Sequence, residues 1–336
     1  MICYPKKGSL QENTNLHLHI TTLNLKRPPL QALVYKSTGS WYQLKTEDGQ
    51  ALQARIIGKL KQDGITSTNP IAVGDWVEVD NVAEEGSIVI TKIQKRNNYI
   101  NRISPHNKNM HHIIAANIDQ SLLFATLKDP KTSLGFIDRF LVTSEAYHVP
   151  AIIVFNKADL WKKKENEKFE YIKSMYEAIG YPVLLMSMED KTGLEEITAL
   201  LKNKTSLLSG HSGVGKSSFI NYLFPHLNLK TNEVSGWSGK GMHTTTFAEM
   251  YDLPFGGRII DTPGIREMGL VDISKQELSH YFPEMRALIQ QCQFNNCSHL
   301  HEPGCAVKAA VNDEKISEER YISYLNIRDT ISEKEY

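Results

Sequence analysis

Gly210, Gly215, Lys216 and Ser217 stand in the spacing G-x4-G-K-[ST] within the stretch GHSGVGKSS, and that spacing suits a phosphate group. Glycine lets the backbone curl so that several N–H groups point inward at phosphate oxygens. Lys216 would neutralise the β and γ charges, and the Ser217 hydroxyl would ligate magnesium. TSLLS before the loop supplies a strand and KSSFINYL after it a helix. Asp261 to Gly264 reads DTPG and follows the apolar RII. An aspartate there would hold magnesium, usually through a water, and the Gly264 N–H would meet the γ-phosphate. Between these segments lies HTTT, His243 to Thr246, inside the glycine-rich GWSGKGMHTTT. One threonine of this run would reach magnesium in the triphosphate state and let go after hydrolysis. Residue type alone does not choose among Thr244, Thr245 and Thr246; Thr245 is taken for the magnesium set with Ser217 and Asp261. The TTT run could equally open a strand at FAEMYD.

A second group of residues points to the base. In NKAD, Asn156 to Asp159, the Asp159 carboxylate can accept two hydrogen bonds from guanine, and adenine lacks that pair of donors. Asn156 would steady the phosphate loop, and the Lys157 stem would lie across the ring. The later stretch VLLMSMEDKTGL offers Ser187 and Met188 as a short loop that presents backbone N–H to the base. The expected guanine-nucleotide set is therefore Asn156, Lys157, Ala158, Asp159, Ser187 and the loop Gly210, His211, Ser212, Gly213, Val214, Gly215, Lys216, Ser217 and Ser218. Its parts run in the order NKAD, base loop, phosphate loop, HTTT, DTPG. In an ordinary GTPase the base motif comes last, so the domain reads as circularly permuted. A sheet tolerates this if the old termini lie close together and the break falls in a surface connection.

The elements that must hold these loops are visible as texture. From Gln31 to about Arg102 short β-type runs alternate with turn signals: ALVYKST, WYQLKT, ALQARII, DWVEVD and SIVITKI. Five strands in so short a span predict a small barrel of OB type, with an SH3-like barrel as the alternative. From about His111 strand-like runs (IIAANIDQSLLFAT, AIIVF, VLLMS, TSLLSG, RIIDTPG) alternate with segments of helical spacing (FIDRFLVTSEAY, KFEYIKSMYEAI, TGLEEITALL, KSSFINYLF). That alternation predicts a mostly parallel sheet covered on both faces. WKKKENEK, Trp161 to Lys168, reads as the solvated start of a helix. The expected division is an extension at 1–30, the barrel at 31–104, the permuted α/β P-loop domain at 105–270, and a mostly helical zinc-binding domain at 271–336. From DTPG the chain runs through IREMGL directly toward that last domain, which offers nucleotide state a route to reposition it.

The bulk numbers exclude other classes. Lys plus Arg and Asp plus Glu both total 38, so no global field announces a polyanionic partner. Yet Ser87 to Ile118 contains no acid, while Lys92, Lys95, Arg96, Arg102 and Lys108 gather beside three histidines. With the barrel, and with Tyr99 or Trp41 to stack on a base, this basic stripe predicts RNA binding. No apolar run approaches the roughly 20 residues that span a bilayer, and the first residues lack the apolar stretch of a secretory signal, so a cytoplasmic protein without membrane contact is expected. Nothing demands more than a monomer. Of four cysteines, Cys292, Cys297 and Cys305 cluster within C-x4-C-x-H-x5-C. Three thiolates and an imidazole complete a tetrahedral zinc ion with no position left for substrate, the signature of a structural site. His299 and His301 both could supply the imidazole.

GHSGVGKSS, GKGMHTTT, IIDTPGIREMGL, IDRF, NKADL and the cysteine cluster together resemble the RsgA/YjeQ family of circularly permuted GTPases that act in maturation of the small ribosomal subunit. The resemblance covers about residues 31 to 330. It implies an OB barrel, a GTPase domain and a zinc domain in that order, one structural Zn2+ held by Cys292, Cys297, His299 and Cys305, and Mg2+ bound with GTP. It also implies the small subunit and its rRNA as partners. Ile265 stands where Ras-type enzymes carry a water-orienting glutamine. An isoleucine cannot orient water, so slow intrinsic turnover is expected, activated by the small subunit. His243 is the candidate positioning group beside Lys216, Asp261 and Gly264. A GTP-gated rRNA-binding module in which hydrolysis is incidental is the alternative. Met242 and Met188 depart from the family's pattern; the first bears on a phosphate or RNA contact, the second on a loop that works through its backbone.

Overall fold

The computed structural model describes residues 29–56, 70–82, 87–103, 111–227, 248–262 and 273–331. Within them the β-branched and aromatic runs of the first hundred residues form β1 (Leu30–Ser37), β2 (Tyr42–Thr46), β3 (Ala51–Ile56), β4 (Trp76–Val82) and β5 (Ser87–Ile93). β1 pairs antiparallel with both β2 and β4, β3 runs parallel to β5, and the strands join in the cyclic order 1-2-3-5-4-1. This closed Greek-key barrel is the OB arrangement, and the parallel β3–β5 pair sets the SH3-like alternative aside. Closure buries Ala32, Val34, Tyr42, Leu44, Val77, Val79 and Ile90 in one core.

IIAANIDQSLLFAT, which reads as a single apolar run, is two strands. β6 (Tyr99–Ile103) pairs with β7 (His111–Ala116); Asn117 then takes a φ of 54° and turns the chain into β8 (Gln120–Ala125). Asparagine tolerates that left-handed conformation because its short polar side chain bonds locally; here Asn117 Nδ2 donates to Gly74 O at 2.8 Å.

From β8 onward strand and helix alternate: α1 (Leu134–Ala146), β9 (Ala151–Phe155), α2 (Lys163–Glu177), β10 (Val183–Leu185), α3 (Leu194–Leu201), β11 (Thr205–Ser209), α4 (Lys216–Leu223), β12 (Glu249–Asp252) and β13 (Arg258–Asp261). The sheet order is β10-β9-β8-β11-β13-β12, parallel except for β12. Every residue of β8 and β9 is buried, as strands covered on both faces require. Successive side chains sort to opposite layers. Leu123, Ile153, Leu207 and Ile260 join α1 and α2, while Leu122, Val154, Leu208 and Ile259 join α3 and α4.

β11 stands in the middle of this sheet although three of its strands precede it in the chain. Those three lie on one side of it, and the two that follow lie on the other. β8 leads into α1 on one face and β11 into α4 on the opposite face, so the crevice beyond their C-terminal ends is a topological switch point, where open α/β sheets bind ligands. Reordering the chain therefore leaves the site where the sheet puts it.

The barrel meets this sheet where β1 pairs with β12 at Lys36 and Glu249. Past residue 273, α5 (Pro283–Arg286), α6 (Ala306–Asn312) and α7 (Glu318–Thr330) surround a third core of Leu278, Phe282, Met285, Val307, Tyr324 and Ile327, to which α1 contributes Val142. Among the described residues no helix is long and apolar enough to cross a membrane.

Candidate nucleotide site and metal centre

β11 ends at Ser209 and the chain curls through Gly210 (φ 138°), Gly213 (84°) and Gly215 (98°) before α4 begins at Lys216. Two of these glycines are required by space as well as by φ. A Cβ at Gly210 would stand 2.5 Å from Phe124 O, and one at Gly215 would stand 2.2 Å from Asn156 Nδ2. The second contact marks where the base motif reaches the phosphate loop: the buried Asn156 donates from Nδ2 to Val214 O at 2.8 Å. NKAD and GHSGVGKSS, more than fifty residues apart in the chain, thus share one crevice.

Asn156 follows the last residue of β9, and its own N–H is held by Ala125 O at 2.8 Å. Lys157 takes a left-handed φ of 65° and opens a short 3-10 turn over Ala158–Leu160. Ser187, fully buried, donates from Oγ to Asp159 Oδ1 at 2.8 Å and accepts from the Asp190 N–H, so it aims the carboxylate and orders the base loop at once. Asp159, Ser187 and the start of the base loop are thereby brought together.

At the other end of the crevice Lys216 Nζ donates to Gly210 O at 2.6 Å and to His211 O at 3.2 Å, which parks the ammonium over the loop's mouth. Burial pulls the Lys216 pKa down, opposed by the charge of Asp261. Asp261 ends β13, only 6% exposed, and burial pushes its carboxyl up to about 6 even though Lys216 pulls the other way; Glu249 adds to the rise. A buried carboxylate that needs a cation, beside a lysine that needs an anion, suits a magnesium–phosphate pair. His243, Thr245 and Gly264 lie outside the described residues, as do Met242 and Ile265.

The loop between β8 and α1 was not foreseen as part of this site. Thr132, buried, takes the Thr126 N–H on Oγ1 at 3.0 Å, and its hydroxyl lies 2.7 Å from His211 Nε2 in the phosphate loop. Lys157 Nζ donates to Asp129 O at 2.5 Å in the same loop. The only sequence signal was the Thr-Ser pair before an apolar helical run, which marks a helix start: Ser133 caps α1 by accepting from Phe136 N.

The RNA-binding stripe loses one member. Arg96 is not on the surface: its side chain is 5% exposed and donates to Asp75 Oδ1 and Oδ2, both at 2.6 Å, and to Pro70 O at 2.7 Å. A guanidinium so bound pins the segment that leads into β4 and is withheld from solvent. Lys92 remains 66% exposed although it meets Glu78, Trp41 is 44% exposed, and Tyr99 packs its ring on Tyr147 at 5.3 Å.

In the C-terminal module Cys292, Cys297, His299 and Cys305 bring one ligand atom each to within 4.8 Å of one another. His299 Nδ1 lies 3.7 Å from Cys292 Sγ and 3.4 Å from Cys305 Sγ. Ligand bonds of about 2.3 Å to sulfur and about 2.0 Å to nitrogen, at the tetrahedral angle, put S and N about 3.5 Å apart. The donor set and spacing fit a tetrahedral metal held through Nδ1. His301 is exposed and does not belong to the cluster. Glu302 accepts from the N–H groups of Ser298, Leu300 and His301, and with the Ser298 hydroxyl these bonds hold its carboxyl well below the usual range. Tyr321 and Tyr324 donate to His299 O and Ser298 O at 2.7 and 2.9 Å, tying the knuckle to α7.

An OB barrel, a P-loop domain whose strands are threaded in permuted order, and a Cys3His knuckle together define a class of circularly permuted GTPases. Comparison with known proteins agrees. The RsgA N-terminal domain matches residues 31–89 and the RsgA GTPase model matches residues 93–271. A small ribosomal subunit biogenesis GTPase RsgA from Cytophaga hutchinsonii is 52% identical over 299 residues, 89% of this chain and 97% of that one. The crystal structure of YjeQ from Thermotoga maritima superposes with a TM-score of 0.72 at 33% identity, covering 90% of this chain and 98% of the other. YloQ, described as a circularly permuted GTPase, superposes at 0.69 with 28% identity, covering 93% and 99%. The chain belongs to the RsgA GTPase family.

Proposed function

We propose that this GTPase grips a single GTP across the crevice and uses its hydrolysis to act on the small ribosomal subunit during late maturation. Asp159 reads the guanine edge, Lys157 covers the ring, and Ser187 aims the carboxylate. The amides of Gly210 to Ser218 and the ammonium of Lys216 take the phosphates, whose oxygens replace the carbonyls of Gly210 and His211. Ser217, Thr245 and Asp261 hold Mg2+, Gly264 meets the γ-phosphate and His243 positions the attacking water. The observation that supports this reading is the 2.8 Å bond from Asn156 to Val214, which brings base motif and phosphate loop together at one crevice. The division into barrel (31–104), GTPase domain (105–270) and zinc domain (271–336) follows the same reading, as does a cytoplasmic monomer.

The small subunit as partner is supported by the relatives' role in small ribosomal subunit biogenesis and by the barrel's exposed Trp41 and Lys92. Zn2+ is the metal that three thiolates and one imidazole favour at a closed site, where it would order the knuckle and supply no chemistry. Metal analysis should find one zinc per chain, lost in the Cys297→Ser variant.

The test is steady-state GTP turnover of the unsubstituted protein, Lys216→Ala and His243→Ala, each alone and with purified small subunits. Slow turnover raised at least tenfold by the subunit, abolished in Lys216→Ala and reduced in His243→Ala, is expected. Subunit binding that leaves turnover unchanged would instead make the protein a nucleotide-gated binder.

A further inference from the structure

We propose that Thr132 is a positioning residue for nucleotide binding, holding the phosphate loop in its receptive shape through His211. This rests on the reading that Gly210 to Ser218 and Asn156 to Asp159 bind one guanine nucleotide.

A loop with three glycines at positive φ is easily deformed, and any arrangement it must adopt around phosphate costs conformational entropy when the ligand arrives. Two side chains reduce that cost beforehand. Asn156 holds the loop at Val214 O. Thr132 holds its entering arm, where His211 lies 2.7 Å from Thr132 Oγ1 and packs edge-on against Phe136 of α1 at 5.6 Å. The direction of the bond follows from its neighbours. His211 Nδ1 lies 3.1 Å from Ser212 O, a carbonyl, so Nδ1 carries the proton and Nε2 is an acceptor in the neutral ring. Thr132 Oγ1 already accepts from Thr126 N, which leaves its O–H to be donated to Nε2.

The threonine is itself held at both ends. Its N–H donates to Thr126 O at 2.8 Å, beside the end of β8. Farther round the loop, Asp129 O accepts from Lys157 of the base motif. Residues 126–132 therefore form a strut between the base motif and the phosphate loop. Along the chain those two motifs are separated by α2, β10, α3 and β11, and besides the sheet they meet directly at the contact of Asn156 with Val214. A strut of this kind acts on ground-state binding of GTP and GDP alike, leaving the chemical step alone.

Thr132→Val keeps the shape and removes the donor. The full-length protein with Mg2+ is titrated with GDP by calorimetry, and KM and kcat for GTP are measured beside it. About tenfold weaker GDP binding, an equal rise in KM and kcat within about twofold of the unsubstituted protein are expected. Thr132→Ser should restore affinity to within about twofold. His211→Phe preserves the edge contact with Phe136 and loses the acceptor, so it should weaken GDP binding by the same factor. It also carries the test if Thr132→Val unfolds, which thermal melts report. The double variant should bind no more weakly than the weaker single one. Additive losses, or a fall in kcat at unchanged KM, would overturn the proposal. So would unweakened GDP binding by Thr132→Val alongside a Lys216→Ala variant that no longer binds. An unsubstituted protein that binds no GDP would instead overturn the site assignment on which the proposal stands.

Discussion

At the seam between barrel and nucleotide domain, Lys36 meets Glu249 at 2.7 Å and Lys45 meets Asp252 at 2.5 Å, with side chains 24 to 39% exposed. At the seam between nucleotide domain and C-terminal module, Arg320 of α7 meets Asp138 of α1 at 2.6 Å and Glu284 of α5 at 2.7 Å, with no side chain more than 6% exposed. Tyr176 of α2 adds its hydroxyl to Asp138, and the Phe282 ring lies 4.5 Å from the guanidinium. The same chemistry is used with opposite consequences. Exposed pairs gain little over hydration and are screened by salt. A buried, multiply bonded cation is expensive to assemble and more expensive to break, because removing one partner strands the others. The ion pairs at the barrel seam are light and stand beside the buried apolar contact of Leu33 and Val73 with the sheet's core, whereas the C-terminal module is clamped to α1 by a buried pair. A displacement that parts Arg320 from Asp138 and Glu284 would therefore cost more than one that parts Lys36 and Lys45 from their carboxylates.

The largest effect that would break this contrast is at Arg320. Arg320→Ala should destabilise the protein by about 3–5 kcal/mol in urea unfolding, with hydrogen exchange rising first in residues 273–331. A loss below about 1 kcal/mol would put the two seams on equal terms. The next largest lies at Asp261. Its folded pKa of about 6 stands above the ordinary value of 3.8 because burial opposes its charge. Below about pH 3 the carboxyl is neutral both folded and unfolded and costs nothing; above about pH 7 it is charged in both and the folded state bears the full penalty. Asp261→Asn should then stabilise the magnesium-free protein by up to about 3 kcal/mol at pH 8, a gain that falls to about half a kcal/mol by pH 4, while abolishing Mg2+-dependent turnover. A gain that is the same at pH 4 and pH 8 would show that the penalty is steric.

Sequence made the site legible where chemistry restricts residue choice. Gly215 is dictated by the close approach of Asn156, the glycine–lysine spacing suits a phosphate and the Cys3His spacing suits a metal, and each such requirement leaves a local pattern. The five barrel strands and the strand–helix alternation were visible because burial on known faces imposes period and composition. What could not be read was pairing across distance. Arg320 and Asp138 are 182 positions apart, and nothing local distinguishes an arginine that plugs a seam from one on a solvated helix face. Arg96 was misassigned to a basic surface for the same reason, since its partner Asp75 is twenty-one positions away. Thr132 went unnoticed because a threonine before a helix already has a sufficient local explanation.

The light seam offers smaller tests. Asp252 accepts from Lys45 and, at 2.6 Å, from the Tyr35 hydroxyl, with Arg258 at 3.4 Å. Because these groups keep water, Asp252→Asn should cost less than about 1 kcal/mol, and 1 M salt should remove most of the difference. A cost near that of Arg320→Ala, insensitive to salt, would mean that the barrel is clamped as firmly as the module.

The weakest effect is the one that joins the light seam to the site. Lys36 of β1 stands opposite Glu249 of β12, and Glu249 stands opposite Asp261 of β13, so the three lie in one row across the sheet. Glu249 raises the Asp261 pKa by its charge, and Lys36, 2.7 Å from Glu249, offsets part of that charge. Removing the lysine should therefore push Asp261 further up and carry the acidic limb of Mg2+-dependent turnover to higher pH, whereas Glu249→Gln should carry it lower. Since Lys36 and Glu249 are both partly in water, the displacement is on the order of a few tenths of a pH unit at low salt and less at 0.5 M. The pH profile of kcat/KM for Lys36→Ala and Glu249→Gln at two salt concentrations measures it. Opposite displacements would make the barrel latch an electrostatic neighbour of the magnesium site; displacements of the same sign would leave it a mechanical fastening only.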